Sequence, residues 1–168
     1  RVIAGSIAQQ FLYKYGIKVT AYVSQAGEIS LDKKYTELDL NKVDSNIVRC
    51  PDIETAQVME TYITQLKKSG DSCGGIITCI VTGMHPGFGE PVFDKLNADL
   101  AKAVMSINAA HGFEFGSGFA GAAMKGSNHN DIPVKDTQNQ ISFKSNNSGG
   151  IQGGISNGME IYFSVAFK

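Results

Sequence analysis

Apolar residues recur at three- and four-residue steps through Val2, Ile3, Ile7, Phe11, Leu12 and Tyr15, the spacing that lines one face of an α-helix. Gly16 follows, suited to the left-handed residue that closes a helix. Ile17, Val19, Ala21 and Val23 then alternate with more polar partners, the period of a strand with one buried face. A turn at Ala26-Gly27-Glu28 ends that strand. From Asp32 to Arg49 charges of both signs are mixed without strong pattern, which predicts a surface excursion with at most a short helical turn.

Asp52 is placed to cap a second helix whose inward stripe is Ala56, Met59, Ile63 and Leu66. Lys67 and Lys68 fall in its last turn, where cations suit the dipole, and Ser69-Gly70 ends it. Gly74 to Val81 is apolar on both alternating faces, which predicts a strand covered on both sides. After a tight loop from Gly83 to Gly89, Glu90-Pro91 predicts the start of a third helix, with Phe93, Leu96, Leu100, Ala101 and Val104 on one face. Beyond Met105 the texture turns to glycine-punctuated short strands, expected at Phe113 to Phe115, Ala120 to Lys125 and Ile141 to Phe143. A last strand from Met159 to Phe167 turns Met159, Ile161, Phe163, Val165 and Phe167 to one side. No repeat and no linker divides the chain. The fold class predicted is α+β, with antiparallel sheet packed on helices in a single unit spanning residues 1–168.

Composition sharpens this picture. Of 168 residues, 42% are hydrophobic and 18% charged, which excludes a disordered chain. A net charge of −1 is too near neutral for a surface built to hold nucleic acid or anionic lipid. No run approaches the roughly 20 apolar residues of a membrane span, and RVIAGSIAQQF is no signal series. The expectation is a soluble, cytoplasmic protein with neither nucleic-acid nor membrane partners. Cys50, Cys73 and Cys79 are too sparse for a disulfide framework. With His85 they match no common zinc spacing, so no metal is expected. Arginine occurs only at Arg1 and Arg49, although it is the residue best suited to forked contacts with phosphate and carboxylate. A helical pattern is under way at Arg1 and a strand pattern still runs at Lys168, which reads as a piece of a longer chain.

The least ordinary stretch is Ser145 to Gly158, SNNSGGIQGGISNG. Such glycine density lets bare backbone N–H groups approach an anion or a flat ring; it equally suits a tight double turn between strands. It matches neither the P-loop nor the dinucleotide fingerprint. Asn108 and His111 sit where a helix end joins glycine-rich backbone, but no G-x-S-x-G elbow supports a hydrolase triad. Asp71, Ser72 and Glu90 read as functional residues or as cap and turn residues.

Taken in order, GDSCGG (Gly70 to Gly75), GFGEPVFDKLNADLA (Gly87 to Ala101), MSINAAHGFEFGSGF (Met105 to Phe119), GSNHND (Gly126 to Asp131) and NNSGGIQGGISNG (Asn146 to Gly158) resemble the chorismate synthase family along essentially the whole chain. That resemblance implies a β-α-β sandwich and a lyase of the shikimate pathway that uses reduced FMN. It also implies a small-molecule substrate, 5-enolpyruvylshikimate 3-phosphate, and a homotetramer. It carries flavin contacts to Asn108, Ala109, Gly153 and Lys168, the last at the start of the family's Lys-Pro-Thr-Ser-Ser segment. It carries no catalytic role to this chain, because the family's catalytic histidines and most of its substrate-binding arginines lie upstream; His111 stands where the family commonly has Lys. The two glycine-bearing bends are expected to form part of one wall for a flat isoalloxazine. Two readings from other classes remain beside it: a non-catalytic flavin- or nucleotide-binding module, and a structural oligomerisation domain.

Overall fold

The computed structural model of the protein describes residues 1–135 and 141–168. In chain order the elements are α1 (Val2–Tyr13), β1 (Lys18–Ala26), β2 (Ile29–Ser30), α2 (Ile53–Lys68), β3 (Gly75–Thr82), α3 (Leu96–Met105) and β4 (Ala110–Phe115). Then follow the short helices α4 (Gly118–Gly121) and α5 (Gly126–His129), and the strands β5 (Pro133–Lys135), β6 (Ile141–Phe143), β7 (Ile151–Gln152), β8 (Ile155–Ser156) and β9 (Ile161–Phe167). The main sheet is antiparallel throughout in the order β2-β1-β3-β9-β4.

Alternation along the strands sends successive side chains to opposite faces. On one face Val81, Ile161, Phe163 and Val165 form the main core, against Leu96, Leu100 and Val104 of α3 and Leu12 of α1. Ile161 is fully buried. On the other face Ile80 and Tyr22 pack with Val43, Leu38, Leu40 and Tyr162. β3 is therefore covered on both sides, as its unbroken apolar run predicts. α2 closes a smaller core of Ala56, Met59, Cys50 and Ala26. Its N-cap forms as expected, with Asp52 Oδ1 accepting from the Thr55 N–H at 3.0 Å.

Four expectations are corrected. The third helix begins at Leu96, not at Glu90-Pro91: Glu90 and Asp94 exchange backbone hydrogen bonds of 2.8 and 3.0 Å, which ties residues 91–93 into a turn. Proline suits the first position of a helix and of a turn alike, and Phe93 is left 89% exposed. Ala120 to Lys125 is no strand. Its first residues belong to α4 and continue as turns, with bonds such as Gly121 N–H to Ser117 C=O and Ala122 N–H to Phe119 C=O, because alanine favours local helical bonding over a ladder.

The segment from Asp32 to Arg49 folds into two 3₁₀ turns, at Tyr35–Glu37 and Leu40–Ser45, and is more than a surface excursion because it delivers buried Val43 to the sheet. The last strand begins at Ile161, since Met159 lies in the preceding turn, where its N–H bonds Asn157 Oδ1. Its second face is half-buried, with Tyr162 tilted against Tyr35 at 5.0 Å between ring centroids. The predicted stripe of α1 is largely open: Val2, Ile3, Ile7 and Phe11 are all exposed, and only Leu12 reaches the core.

Candidate functional site

One end of the sheet gathers the starts of β3 and β4 and the end of β9, because the antiparallel register sets Gly75 and Ala110 on either side of Phe167. Here the Lys168 N–H donates to the Ala109 carbonyl at 3.1 Å. Ala109 has φ 66°, a left-handed conformation unusual for a residue with a Cβ. Such outliers cost on the order of 1–3 kcal/mol and cluster at functional positions. Asn108 and Lys168 are both exposed, so their side chains stand open at this corner.

The GDSCGG loop lies against the same end. A Cβ on Gly74 would fall 2.6 Å from the Phe167 carbonyl oxygen and 3.3 Å from Lys168 Cδ, so only glycine lets the two chains pass. Between this loop, the C-terminal half of α2 and the sheet is a cleft of about 480 Å³, walled by Val23, Ile63, Leu66, Ile77 and Phe167 and rimmed by Asp71 to Gly75. That volume lies within the range of small-molecule sites. Ile63, expected in the core stripe of α2, instead borders this cleft and is exposed.

Gly153 sits elsewhere. It and Gly154 form a two-residue turn between β7 and β8 with φ of 62° and 89°, the left-handed pair that a tight hairpin requires. The Gly154 carbonyl accepts the Leu96 N–H at 2.9 Å, at the start of α3. Asn108 and Ala109 lie just past the end of that ten-residue helix, a run of about 15 Å at 1.5 Å per residue. The two bends expected to form one wall therefore stand at opposite ends of α3 within this chain. Nothing lies within 4 Å of the Cβ position of Gly153, so its backbone is bare to an approaching group.

Sequence reasoning missed the residue that organises the glycine-rich stretch. Asp131, the last residue of GSNHND, accepts from Ser145 Oγ at 2.6 Å and from the Asn147 and Ser148 N–H groups at 2.8 Å each. These bonds hold its carboxyl below the usual range although burial opposes them. Asn147 C=O in turn accepts the Ser117 N–H at 2.8 Å. Three motif blocks are thus laced into one polar layer; a single Asp in a polar tract carried no signal of it.

The histidines are dispersed. His111 is exposed on β4, His129 Nε2 lies 2.9 Å from Ser117 Oγ, and the His85 carbonyl accepts from Ser156 Oγ at 2.7 Å. Cys79 packs against the main core, and burial pushes its thiol up to about 12. Among the described residues no three His, Cys, Asp or Glu side chains converge as metal ligands. No helix among the described residues is long and apolar enough to cross a membrane.

Fold and site together define an α+β unit whose antiparallel sheet is layered on helices, with a cleft of about 480 Å³ and glycine-bearing bends at its ends. The chorismate synthase family model matches residues 1–168, the whole chain, and the chain belongs to that family. It is 56% identical over its full length to a chorismate synthase of Flavobacterium psychrophilum, covering 46% of that protein. It is 51% identical to one of Cytophaga hutchinsonii, covering 47%. A crystal structure of a chorismate synthase superposes with a TM-score of 0.90 over 98% of this chain and 53% of that one, at 31% identity. The chain spans about half the length of the relatives it matches.

Proposed function

We propose that the chain is the central portion of a cytoplasmic, homotetrameric chorismate synthase. That enzyme eliminates phosphate and a ring proton from 5-enolpyruvylshikimate 3-phosphate in the anti 1,4 sense, with reduced FMN as cofactor. The observation that carries this reading is the family match over residues 1–168 at 56% identity to a full-length relative.

The residues present fit a flavin. Exposed Asn108 offers both a donor and an acceptor to a ring edge, and left-handed Ala109 turns the backbone with a side chain small enough for close approach. Lys168 brings a cation to the same corner for a phosphate, while Gly153 presents bare backbone. One cofactor touching all four positions must run the length of α3 or lie across a subunit boundary, which a homotetramer supplies. When bound, reduced FMN would supply an electron-rich ring able to support cleavage of the substrate's C–O bond. This chain's own part is to bind, to orient, and to keep water out with the apolar wall of Val23, Ile77 and Phe167. No group here is assigned the proton transfer.

The test is turnover of 5-enolpyruvylshikimate 3-phosphate under reducing conditions with FMN. The 168-residue chain alone is expected to be inactive, and the same residues within the complete protein active. Turnover by the isolated chain would overturn the division of labour, and unchanged FMN affinity in a full-length Asn108→Ala variant would remove the site assignment.

A further inference from the structure

A second cleft lies on the sheet face opposite α3 and the Phe167 side of the first site. Strand register places Tyr22, Thr78, Ser164 and Glu114 directly opposite one another on β1, β3, β9 and β4. They form one polar row across four adjacent strands, about 15 Å long at 4.8 Å per strand. Thr78 Oγ1 lies 2.8 Å from Ser24 Oγ and 3.1 Å from Ser164 Oγ, so the hydroxyls are linked side to side. Each such oxygen keeps acceptor capacity for a further partner. Burial pushes the phenols of Tyr22 and Tyr162 up to about 12, so both remain donors at neutral pH.

Above this floor stands an aromatic wall. Tyr35 leans on Tyr162 with ring centroids 5.0 Å apart, and Asn146 Nδ2 donates to the Tyr35 hydroxyl at 3.3 Å, which fixes the ring. The enclosed space is about 530 Å³, and exposed Lys34 and Lys144 also line it. Tyr22 is buried here beside the Val43 core, while Thr78, Ser164 and the Tyr35 and Tyr162 rings line the cleft next to it, a polar lining that core packing alone would not place there. Hydroxyl floor, tyrosine wall and cationic mouth, with the Glu114 carboxylate at the floor's far end as an acceptor for a ligand hydroxyl, together match a small ring that carries several hydroxyls and one anionic group placed toward Lys34 and Lys144.

We propose that this cleft is a second small-molecule site, separate from the Ala109–Lys168 corner, which takes a hydroxylated ring or chain bearing a phosphate or carboxylate. The test is amide chemical-shift titration of the ¹⁵N-labelled chain with glucose 6-phosphate, gluconate, glucose and inorganic phosphate. Glucose 6-phosphate or gluconate is expected to shift Tyr35, Asn146 and Ser164 with an affinity at least about tenfold above that for glucose, and the stronger of the two identifies the anion. The Lys34→Ala/Lys144→Ala variant, altered only at exposed positions, is expected to weaken that binding about tenfold. Thr78→Val is expected to weaken binding of the sugar part without changing its salt dependence.

Equal shifts from inorganic phosphate alone would mark an adventitious ion only and overturn the proposal. So would unchanged affinity in the lysine variant, or no shifts with any probe. Because FMN binding is read at Ala109 and Lys168, failure of the flavin reading and failure of this one are seen at different amides.

Discussion

Replacing Gly89 by Ala tests how the loop before α3 is locked to the glycine-rich hairpin. Gly89 has φ 127°, and a Cβ there would collide with the Gly154 carbonyl oxygen and stand 3.2 Å from the Leu96 amide nitrogen. That carbonyl is the acceptor of the Leu96 N–H that starts α3. Gly87 is the internal control, because its φ of 104° is equally foreign to an L side chain while nothing lies within 4 Å of its Cβ position. Both variants carry the backbone strain, of order 1–3 kcal/mol. Only Gly89→Ala must also displace backbone and stretch the Leu96 bond, which adds about 1 kcal/mol for the bond and about 1 kcal/mol or more for the crowding. The expected excess of Gly89→Ala over Gly87→Ala is therefore about 2 kcal/mol, or roughly 4–8 °C in Tm for a chain of this size. Urea and thermal unfolding followed by circular dichroism measure it. Equal losses in the two variants would refute the claim that close backbone contact with Gly154 sets this junction.

Other outcomes follow from the cores and the titrating groups. Met59, fully buried against α2's partners, should cost about 2–5 kcal/mol as Met59→Ala in the same melts, and a loss below about 1 kcal/mol would show that the small core collapses around the gap. The Lys33 ammonium beside Asp52, together with the Thr55 N–H and hydroxyl, holds the Asp52 carboxyl at about 2. Its folded value lies below the unfolded one of about 3.9, so its contribution is complete above pH ~4 and is lost as the pH falls toward 2. Asp52→Asn keeps a good N-cap but cannot titrate, so its stability should fall less steeply between those pH values; an unchanged slope would count against the ion pair. Alkylation should reach half-exposed Cys73 first, then Cys79, whose thiol is pushed up to about 12, and buried Cys50 only on unfolding, with mass spectrometry reading the order.

The parts of the fold legible in the sequence are those where one physical signal dominates. β3 was readable from an unbroken apolar run and β9 from a period of two, and the structure buries them accordingly, with Ile161, Phe163 and Val165 on one face of β9. α2 was readable because a capping Asp, an apolar stripe and terminal lysines all agree. Where signals compete, position in space decides. Pro91 opens a turn as readily as a helix, and the bond from Leu96 to Gly154, some sixty residues away, starts α3 later than local pattern suggests. The apolar stripe of α1 correctly marks a helix, but periodicity says only which residues share a face, and this face is exposed.

The candidate site divides along the same line. Glycine density pointed to the two bends, and both carry left-handed backbone, Ala109 at φ 66° and the pair Gly153-Gly154 at 62° and 89°. Their separation by α3 was not legible, since a count of residues along the chain carries no direction for the helix between them. Nor was the role of Asp131, whose three acceptor bonds reach residues 14 to 17 positions away. Those bonds bind a charged oxygen pair to two backbone N–H groups and a hydroxyl, so the glycine-rich loop is shaped from outside its own sequence. A loop whose glycines leave the backbone free needs such an external clamp, because freedom alone lowers the entropy of no single conformation. The chemistry of the stretch therefore belongs to the pair, glycine for access and Asp131 for order.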